Sequence, residues 1–270
     1  MAEAIIAGLL NNKLVKPEQI LASHPRSERR EELEGKYRIR LVENNAEAVN
    51  LVQSPITATD TSSSIVFLTV KPQRLGVILS QLKGTLRKAQ LVVSIVAGAR
   101  IETLIKDLMH ESIVRAMPNT PTQVGEGMTV WTTTPAVTEA QQTQIRTILG
   151  ALGRELHVEE EKMIDMATAL SATGPTYTFL MMEALIDAGV HLGFSRHVAQ
   201  ELVLQTMLGS IIFARESMKH PAELRNMVTS PGGTSAEAIY QMEKGSLRTV
   251  LSKAVWAAYQ RTIALGKKVD

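Results

Sequence analysis

The strand signals of this chain stop at about residue 158, and that change of grammar limits the folds open to it. Up to that point, short apolar runs alternate with amphipathic stretches. Gln19–Ser23, Arg38–Leu41, Ser64–Val70, Gln90–Val96 and Glu111–Arg115 read as strands, with helices expected at 27–34, 73–83 and 100–109. Met128–Thr133, a helix at about 138–152 and a strand at Glu155–His157 complete the series. Ser64–Val70 and Gln90–Val96 are near-continuous apolar runs, the pattern of strands covered on both faces. Alternation at this spacing predicts a parallel sheet in a doubly wound α/β domain over residues 1–158.

From 159 to 270 the apolar residues keep helical spacing instead: Met163, Ile164, Ala167 and Leu170, then Phe179, Met182 and Leu185, then Leu247, Val250, Leu251, Ala254, Ala258 and Leu265. This half reads as all-helical, with breaks at Gly174–Pro175, Gly193, His220–Pro221 and Pro231–Gly233. Thr57–Ser64 is polar and β-branched and reads as a surface loop. An α/β domain followed by a helical one is a common plan for nicotinamide-dependent enzymes, an argument from fold alone.

Composition narrows the chemistry. Hydrophobic residues make up 44% and aromatics only 4%, so the core must be mostly aliphatic. The net charge of +2 is dispersed, which argues against a nucleic-acid or membrane-surface partner. With no cysteine there is no disulfide, thiolate zinc site or cysteine nucleophile, which fits a cytoplasmic, reducing setting. None of the six histidines falls in a metal-ligand spacing. No apolar run reaches the ~20 residues of a membrane span, and no signal peptide is recognisable.

A dinucleotide-binding domain opens with a strand, a glycine-rich turn and then a helix, so that the main chain can approach the pyrophosphate. Here Met1–Leu10 reads as the helix, with neither strand nor glycine turn ahead of it. Taken alone, that permits a helix-first domain that binds no dinucleotide.

The most distinctive run is Ser230-Pro231-Gly232-Gly233-Thr234-Ser235. Two adjacent glycines after a proline are costly inside a helix. They suit a turn that presents several N–H groups together at the start of the next helix, expected near Ser235. Such a nest fits a carboxylate, and the hydroxyls of Ser230, Thr234 and Ser235 add donors. An ordinary loop with a helix cap reads equally well from the hexapeptide.

Around it stand His220–Pro221, Val228–Thr229 and Glu243-Lys-Gly-Ser-Leu-Arg248. Upstream are Arg115-Ala-Met-Pro-Asn-Thr-Pro121 with Val124–Gly127, Leu170–Ser171 with Gly174-Pro175-Thr-Tyr177, Glu183–Gly189, and Gln205–Thr206 with Leu208–Gly209. In this order, over essentially the whole chain, these motifs resemble pyrroline-5-carboxylate reductase, which reduces a cyclic imine to proline at the last step of proline biosynthesis. The resemblance implies a Rossmann-like domain and a helical domain that dimerises and assembles further, in some members to decamers. It also implies a strand and glycine-rich turn ahead of α-helical residues 1–10, with Met1–Ala2 as the tail of that turn.

The same resemblance implies the site. Gly232, Gly233 and Thr234 would hold the substrate carboxylate through their N–H groups, beside Ser230. The Ser235 hydroxyl, where the family usually has Thr, would bond the ring nitrogen. Glu161 matches a position near the site; read by itself it is a solvated glutamate in the run Glu159–Glu161. Val70, Lys71 and Pro72 would lie along the cofactor near the nicotinamide ribose, the alternative being a strand end with a solvated lysine. Val96, Ala97 and Gly98 match a second main-chain contact. Asn45 matches a cofactor-side asparagine and also suits a helix cap. Ser23, His24, Arg26 and Ser27 follow the strand where the adenosine ribose is read. Arg26 and Ser27 there favour a 2′-phosphate and NADPH, with NADH possible, against the plainer reading of a solvated basic turn. Two other readings stand beside the reductase: a cofactor-free paralogue that only dimerises, and a β-hydroxyacid dehydrogenase. For the latter Lys162 is the sole early lysine of the helical half.

Overall fold

The computed structural model describes residues 1–52 and 64–266, so the loop read at Thr57–Ser64 lies, Ser64 apart, outside the described residues. The chain forms two compact units: Met1–Thr173 together with Ala258–Asp270, and Gly174–Ala257.

The first unit is built on strands β1 (Leu21–Ser23), β2 (Arg40–Val42), β3 (Ile65–Leu68), β4 (Leu91–Ser94), β5 (Ile113–Met117), β6 (Gly127–Thr133) and β7 (Gly153–His157). Between them run α1 (Ala2–Asn11), α2 (Ser27–Tyr37), α3 (Asn45–Leu51), α4 (Pro72–Leu82), α5 (Ile101–Leu108) and α6 (Glu139–Gly150). Then α7 (Lys162–Ala167) leads into a π-helical turn at Thr168–Ala172. Local chemistry explains several of these boundaries. Pro72 opens α4, where its missing N–H costs nothing, and Leu75, Leu79 and Leu82 form its buried stripe. Thr138 and Gln141 cap α6 reciprocally, Thr138 N–H donating to Gln141 Oε1 at 3.0 Å and Gln141 N–H to Thr138 Oγ1 at 3.3 Å.

Strands β3–β7 hydrogen-bond in sequence order. The pairing is parallel from β3 to β5, antiparallel between β5 and β6, and parallel again between β6 and β7. The Rossmann-like plan therefore holds, with one reversal that strand signals alone could not show. A single short 3₁₀ turn, Thr120–Val124, links β5 to β6, and that connection is too short for a parallel crossover.

The sheet is covered on both sides. Leu91, Val93, Val114 and Trp131 pack with Ile5, Leu9, Ile145 and Leu149 on one face. Val92 and Ile113 pack with Leu75, Leu79, Leu104 and Leu108 on the other. Alternate residues of β4 thus serve opposite layers, and all four are buried, as a doubly covered strand requires. The matching expectation for Ser64–Val70 needs correcting. β3 is shorter, and only Leu68 is fully buried, because the strand forms an edge of the five-stranded sheet.

β1 and β2 pair in parallel as a separate two-stranded sheet. Between β1 and β3 lies an apolar cavity of about 690 Å³, lined among others by Ile5, Leu9, Leu21, Ile65 and Phe67.

Helices α1 and α2 are clamped by Glu3. Its carboxylate accepts from Arg29 at 2.5 Å and from Lys36 and Tyr37 at 2.9 Å each. These donors, Lys36 foremost and then Tyr37, hold its pKa at about 2, well below the ordinary 4.5. A depressed carboxylate pKa contributes stability above the unfolded value and loses it as pH falls toward the folded one. Glu3→Gln should therefore melt below the parent at pH 6 and converge with it between pH 4.5 and pH 2. Melting temperatures measured across that range test this, and parallel curves would refute it.

The second unit contains α8 (Gly174–His191), α9 (Arg196–Ser217), α10 (Pro221–Met227), α11 (Thr234–Lys244) and the first part of α12 (Leu247–Gly266). Ser195 caps α9, its hydroxyl accepting from Val198 N–H at 3.4 Å. Helices α8 and α9 meet closely where Gly189 faces Ala199, since a Cβ on Gly189 would stand 2.9 Å from that of Ala199. Ala199 is the buried hydrophobic residue of this unit, while Phe179, Leu185, Leu202, Leu208, Ile211 and Phe213 are exposed.

Candidate cofactor and substrate sites

The candidate residues fall into two groups, one in each unit. In the first unit, the turns after β1, β3 and β4 all leave the carboxyl ends of parallel strands, where open α/β sheets take their ligands. Ser23, Asn45 and Val70 line the same cavity. The Ser23 hydroxyl donates to Asn45 Oδ1 at 2.7 Å, and Asn45 Nδ2 donates to Gln81 Oε1 at 3.0 Å. Asn45 is not the helix cap expected of it. Asn44 caps α3, accepting from Ala46 N–H at 2.9 Å, which leaves the Asn45 side chain turned to Ser23.

His24 follows β1 in a braced turn. Its Nδ1 accepts from Arg26 N–H at 3.2 Å, and its carbonyl accepts from Arg30 at 2.7 Å. Arg26 and Ser27 are exposed where α2 begins. Lys71 is exposed and precedes Pro72 at the start of α4. In the turn after β4, Val96 and Gly98 are buried and Ala97 is partly so. Gly98 has φ +77°, and a Cβ there would meet Gly266 N at 2.9 Å and Leu265 Cβ at 3.0 Å. Only glycine accepts both constraints without strain.

Glu161 is partly buried and held by two donors. Its Oε1 accepts from Arg115 Nη1 at 2.7 Å and from Ile101 N–H at 2.8 Å. Lys162, by contrast, is 68% exposed and paired with Glu160 at 2.5 Å, a surface ion pair that gives no sign of a catalytic lysine.

In the second unit, Ser230–Gly233 closes a β-turn, with Gly233 N–H donating to Ser230 O at 3.0 Å. Pro231 and Gly232, at φ +71°, occupy the central positions typical of a type II turn. Helix α11 starts at Thr234, one residue before the expected start, with Gly233 as its cap residue. The Gly233 amide thus donates inside the turn in this structure. Gly233 packs closely on Ser230, and a Cβ there would lie 2.6 Å from Ser230 Oγ, which would have to rotate away. The amides of Thr234 and Ser235 are in the first turn of α11, where the helix supplies no acceptor and the dipole favours an anion. Ser235 is half-buried, while Ser230, Gly232 and Thr234 are exposed.

Fold and site together define a Rossmann-like dinucleotide-binding protein with a helical second unit. Residues 1–98 match the family described as NADP oxidoreductase coenzyme F420-dependent, and residues 161–265 match pyrroline-5-carboxylate reductase dimerisation. The chain is 40% identical to pyrroline-5-carboxylate reductase from Synechocystis over 268 residues, covering 99% of this chain and 96% of the relative. It is 38% identical to the Pseudomonas aeruginosa reductase, over 100% of this chain and 94% of that one. Its fold matches the crystal structure of Plasmodium falciparum pyrroline carboxylate reductase with NADP bound, with a TM-score of 0.86 and 31% identity over 98% of this chain and 94% of that chain. The chain belongs to the pyrroline-5-carboxylate reductase family.

Proposed function

We propose that this protein reduces 1-pyrroline-5-carboxylate to L-proline with NADPH, and that the α11 entrance Ser230–Ser235 holds the substrate. The observation that carries this reading is the turn itself. It fixes Gly232 and Gly233, and delivers the Thr234 and Ser235 amides at a helix N-terminus. A carboxylate is the natural ligand for such a group of donors. Nothing in the similarities favours a β-hydroxyacid dehydrogenase or a cofactor-free paralogue.

The first unit suits a dinucleotide at its strand ends. The turn after β4 presents main chain at Val96, Ala97 and Gly98, and α12 packs against it at Gly98. Val70, Lys71 and Pro72 present the next turn, and Ser23 with Asn45 forms a polar pair at the end of β1. Arg26 and Ser27 beside His24 supply a cation and a hydroxyl suited to a 2′-phosphate, which favours NADPH over NADH. When bound, the cofactor supplies a hydride to the imine carbon while the protonated ring nitrogen becomes the amine.

A protonated imine is already electrophilic, so the protein's task is to position it. The Thr234 and Ser235 amides, with the exposed Gly232 beside them, hold the carboxylate. The Ser235 hydroxyl accepts the N–H of the protonated ring nitrogen and fixes the face presented to the hydride. Glu161 supports the site through the main chain that it holds. No helix among the described residues is long and apolar enough to cross a membrane, and the absence of cysteine suits a reducing cytoplasm. The exposed apolar faces of α8 and α9 suit self-association, as a dimer and, by resemblance, as far as a decamer.

Ser235→Ala is the direct test. Steady-state reduction of the imine should lose about fivefold or more in kcat/KM, the size of one transition-state hydrogen bond. Ser235→Thr should retain most of the rate. A loss under about threefold for the alanine variant would remove the hydroxyl from the mechanism.

A further inference from the structure

Arg115 is the most unexpected residue in the α/β unit. It lies in the middle of β5, a strand buried along its whole length, and its side chain is 1% exposed. A guanidinium in such a place is tolerated only when it is paired. Arg115 makes two pairs, Nη1 with Glu161 Oε1 at 2.7 Å and Nη2 with Asp165 Oδ1 at 2.5 Å. Glu161 immediately precedes α7, and Asp165 lies one turn further along it, so the fork fastens the start of that helix to the sheet.

The two carboxylates are not equivalent. Asp165 holds only the arginine in this group, whereas Glu161 Oε1 also accepts the N–H of Ile101 at 2.8 Å. Ile101 is the first residue of α5, and Arg100 before it gives no side-chain cap. An N–H at that position has no acceptor within its own helix. Glu161 therefore caps α5 from a distance, with its negative charge at the helix's positive end. The residues immediately before Ile101 form the turn after β4, containing Val96, Ala97 and Gly98. The other side of that turn is closed by Leu265 and Gly266 against Gly98.

We propose that the Arg115–Glu161 pair is a positioning device for the cofactor. Buried in the sheet, Arg115 sets Glu161, and Glu161 sets the main-chain turn at residues 95–101 on which the dinucleotide rests. The inference builds on the cofactor assignment made above. Arg115 and Glu161 act through that turn and need not touch the cofactor.

Asp165 provides the control. Glu161→Ala and Asp165→Ala each remove one partner of Arg115, but only the first removes the cap on Ile101. NADPH binding followed by cofactor fluorescence should give a Kd raised at least tenfold in Glu161→Ala and less than threefold in Asp165→Ala. Glu161→Gln keeps an oxygen acceptor for both donors and should restore the Kd to within about threefold of the parent. Amide hydrogen exchange should speed up in peptides covering 95–101 for Glu161→Ala alone. The proposal is overturned if the two alanine variants weaken NADPH binding equally, or if exchange in 95–101 is unchanged by Glu161→Ala. A parent that fails to bind NADPH would instead overturn the cofactor assignment, and the exchange measurement would still decide whether Glu161 holds the turn.

Discussion

Gly98→Val should abolish measurable NADPH binding and lower the melting temperature by several degrees. Two independent costs arise at this position. The backbone sits at φ +77°, where a β-branched residue is strained by roughly 1–2 kcal/mol. In addition, the first carbon of any side chain would lie 2.9 Å from the backbone nitrogen of Gly266 and 3.1 Å from the carbonyl carbon of Leu265. Those are main-chain atoms of α12, not the yielding ends of side chains, so relief requires the turn after β4 to move. Moving it displaces Val96 and Ala97, the main chain proposed to lie against the cofactor. Calorimetric titration with NADPH, alongside thermal melts, separates the two effects. A variant that melts lower yet binds with unchanged affinity would show that this turn does not carry the cofactor.

Diluting the protein a hundredfold should lower its melting temperature by a few degrees. The reason lies in the helical unit. Four helices and part of a fifth bury one hydrophobic residue, Ala199, among the described residues of Gly174–Ala257. Large side chains that would form a core in a self-sufficient bundle stay in the open: Phe179 is 58% exposed, Ile211 59% and Trp256 62%. Burying such a side chain is worth about 1.5–3 kcal/mol, so a face this apolar gains most by meeting a copy of itself. If folding and association are coupled, stability depends on concentration by mass action, about 2.7 kcal/mol per hundredfold, spread over the unfolding entropy of both chains. Differential scanning fluorimetry across that range is sufficient, paired with sedimentation to give the assembly size. A concentration-independent midpoint with a sedimenting monomer would contradict self-association through this unit.

Much of the architecture was legible in the residues because it depends on local periodicity. The stripe Leu75, Leu79 and Leu82 announces α4 whatever surrounds it, and the run Leu91–Ser94 announces a strand covered on both sides. The Ser230–Ser235 turn was legible for the same reason, since proline followed by two glycines leaves few backbone options. What the sequence could not show was partnership. Asn44 and Asn45 are both able to cap α3, and only the position of Ser23 decides that Asn45 turns inward. The Gly233 amide meets the Ser230 carbonyl, a partner that the order of residues does not name. The apolar run at Ser64–Val70 resembles that of β4, yet β3 ends as a sheet edge beside a cavity, because pairing is set by strands far away in the chain.

By itself, then, the sequence determined the α/β part with its helical sequel and the turn at Ser230–Gly233, all of which rest on spacing between near neighbours. Tertiary structure decided the reversal at β6 and the crowding of Gly98 by α12. It also decided the pairing of Arg115 with Glu161 across 46 positions of chain. Burial of a charge is a property of the packed fold, and no local pattern marks an arginine in a strand as the one that will be enclosed.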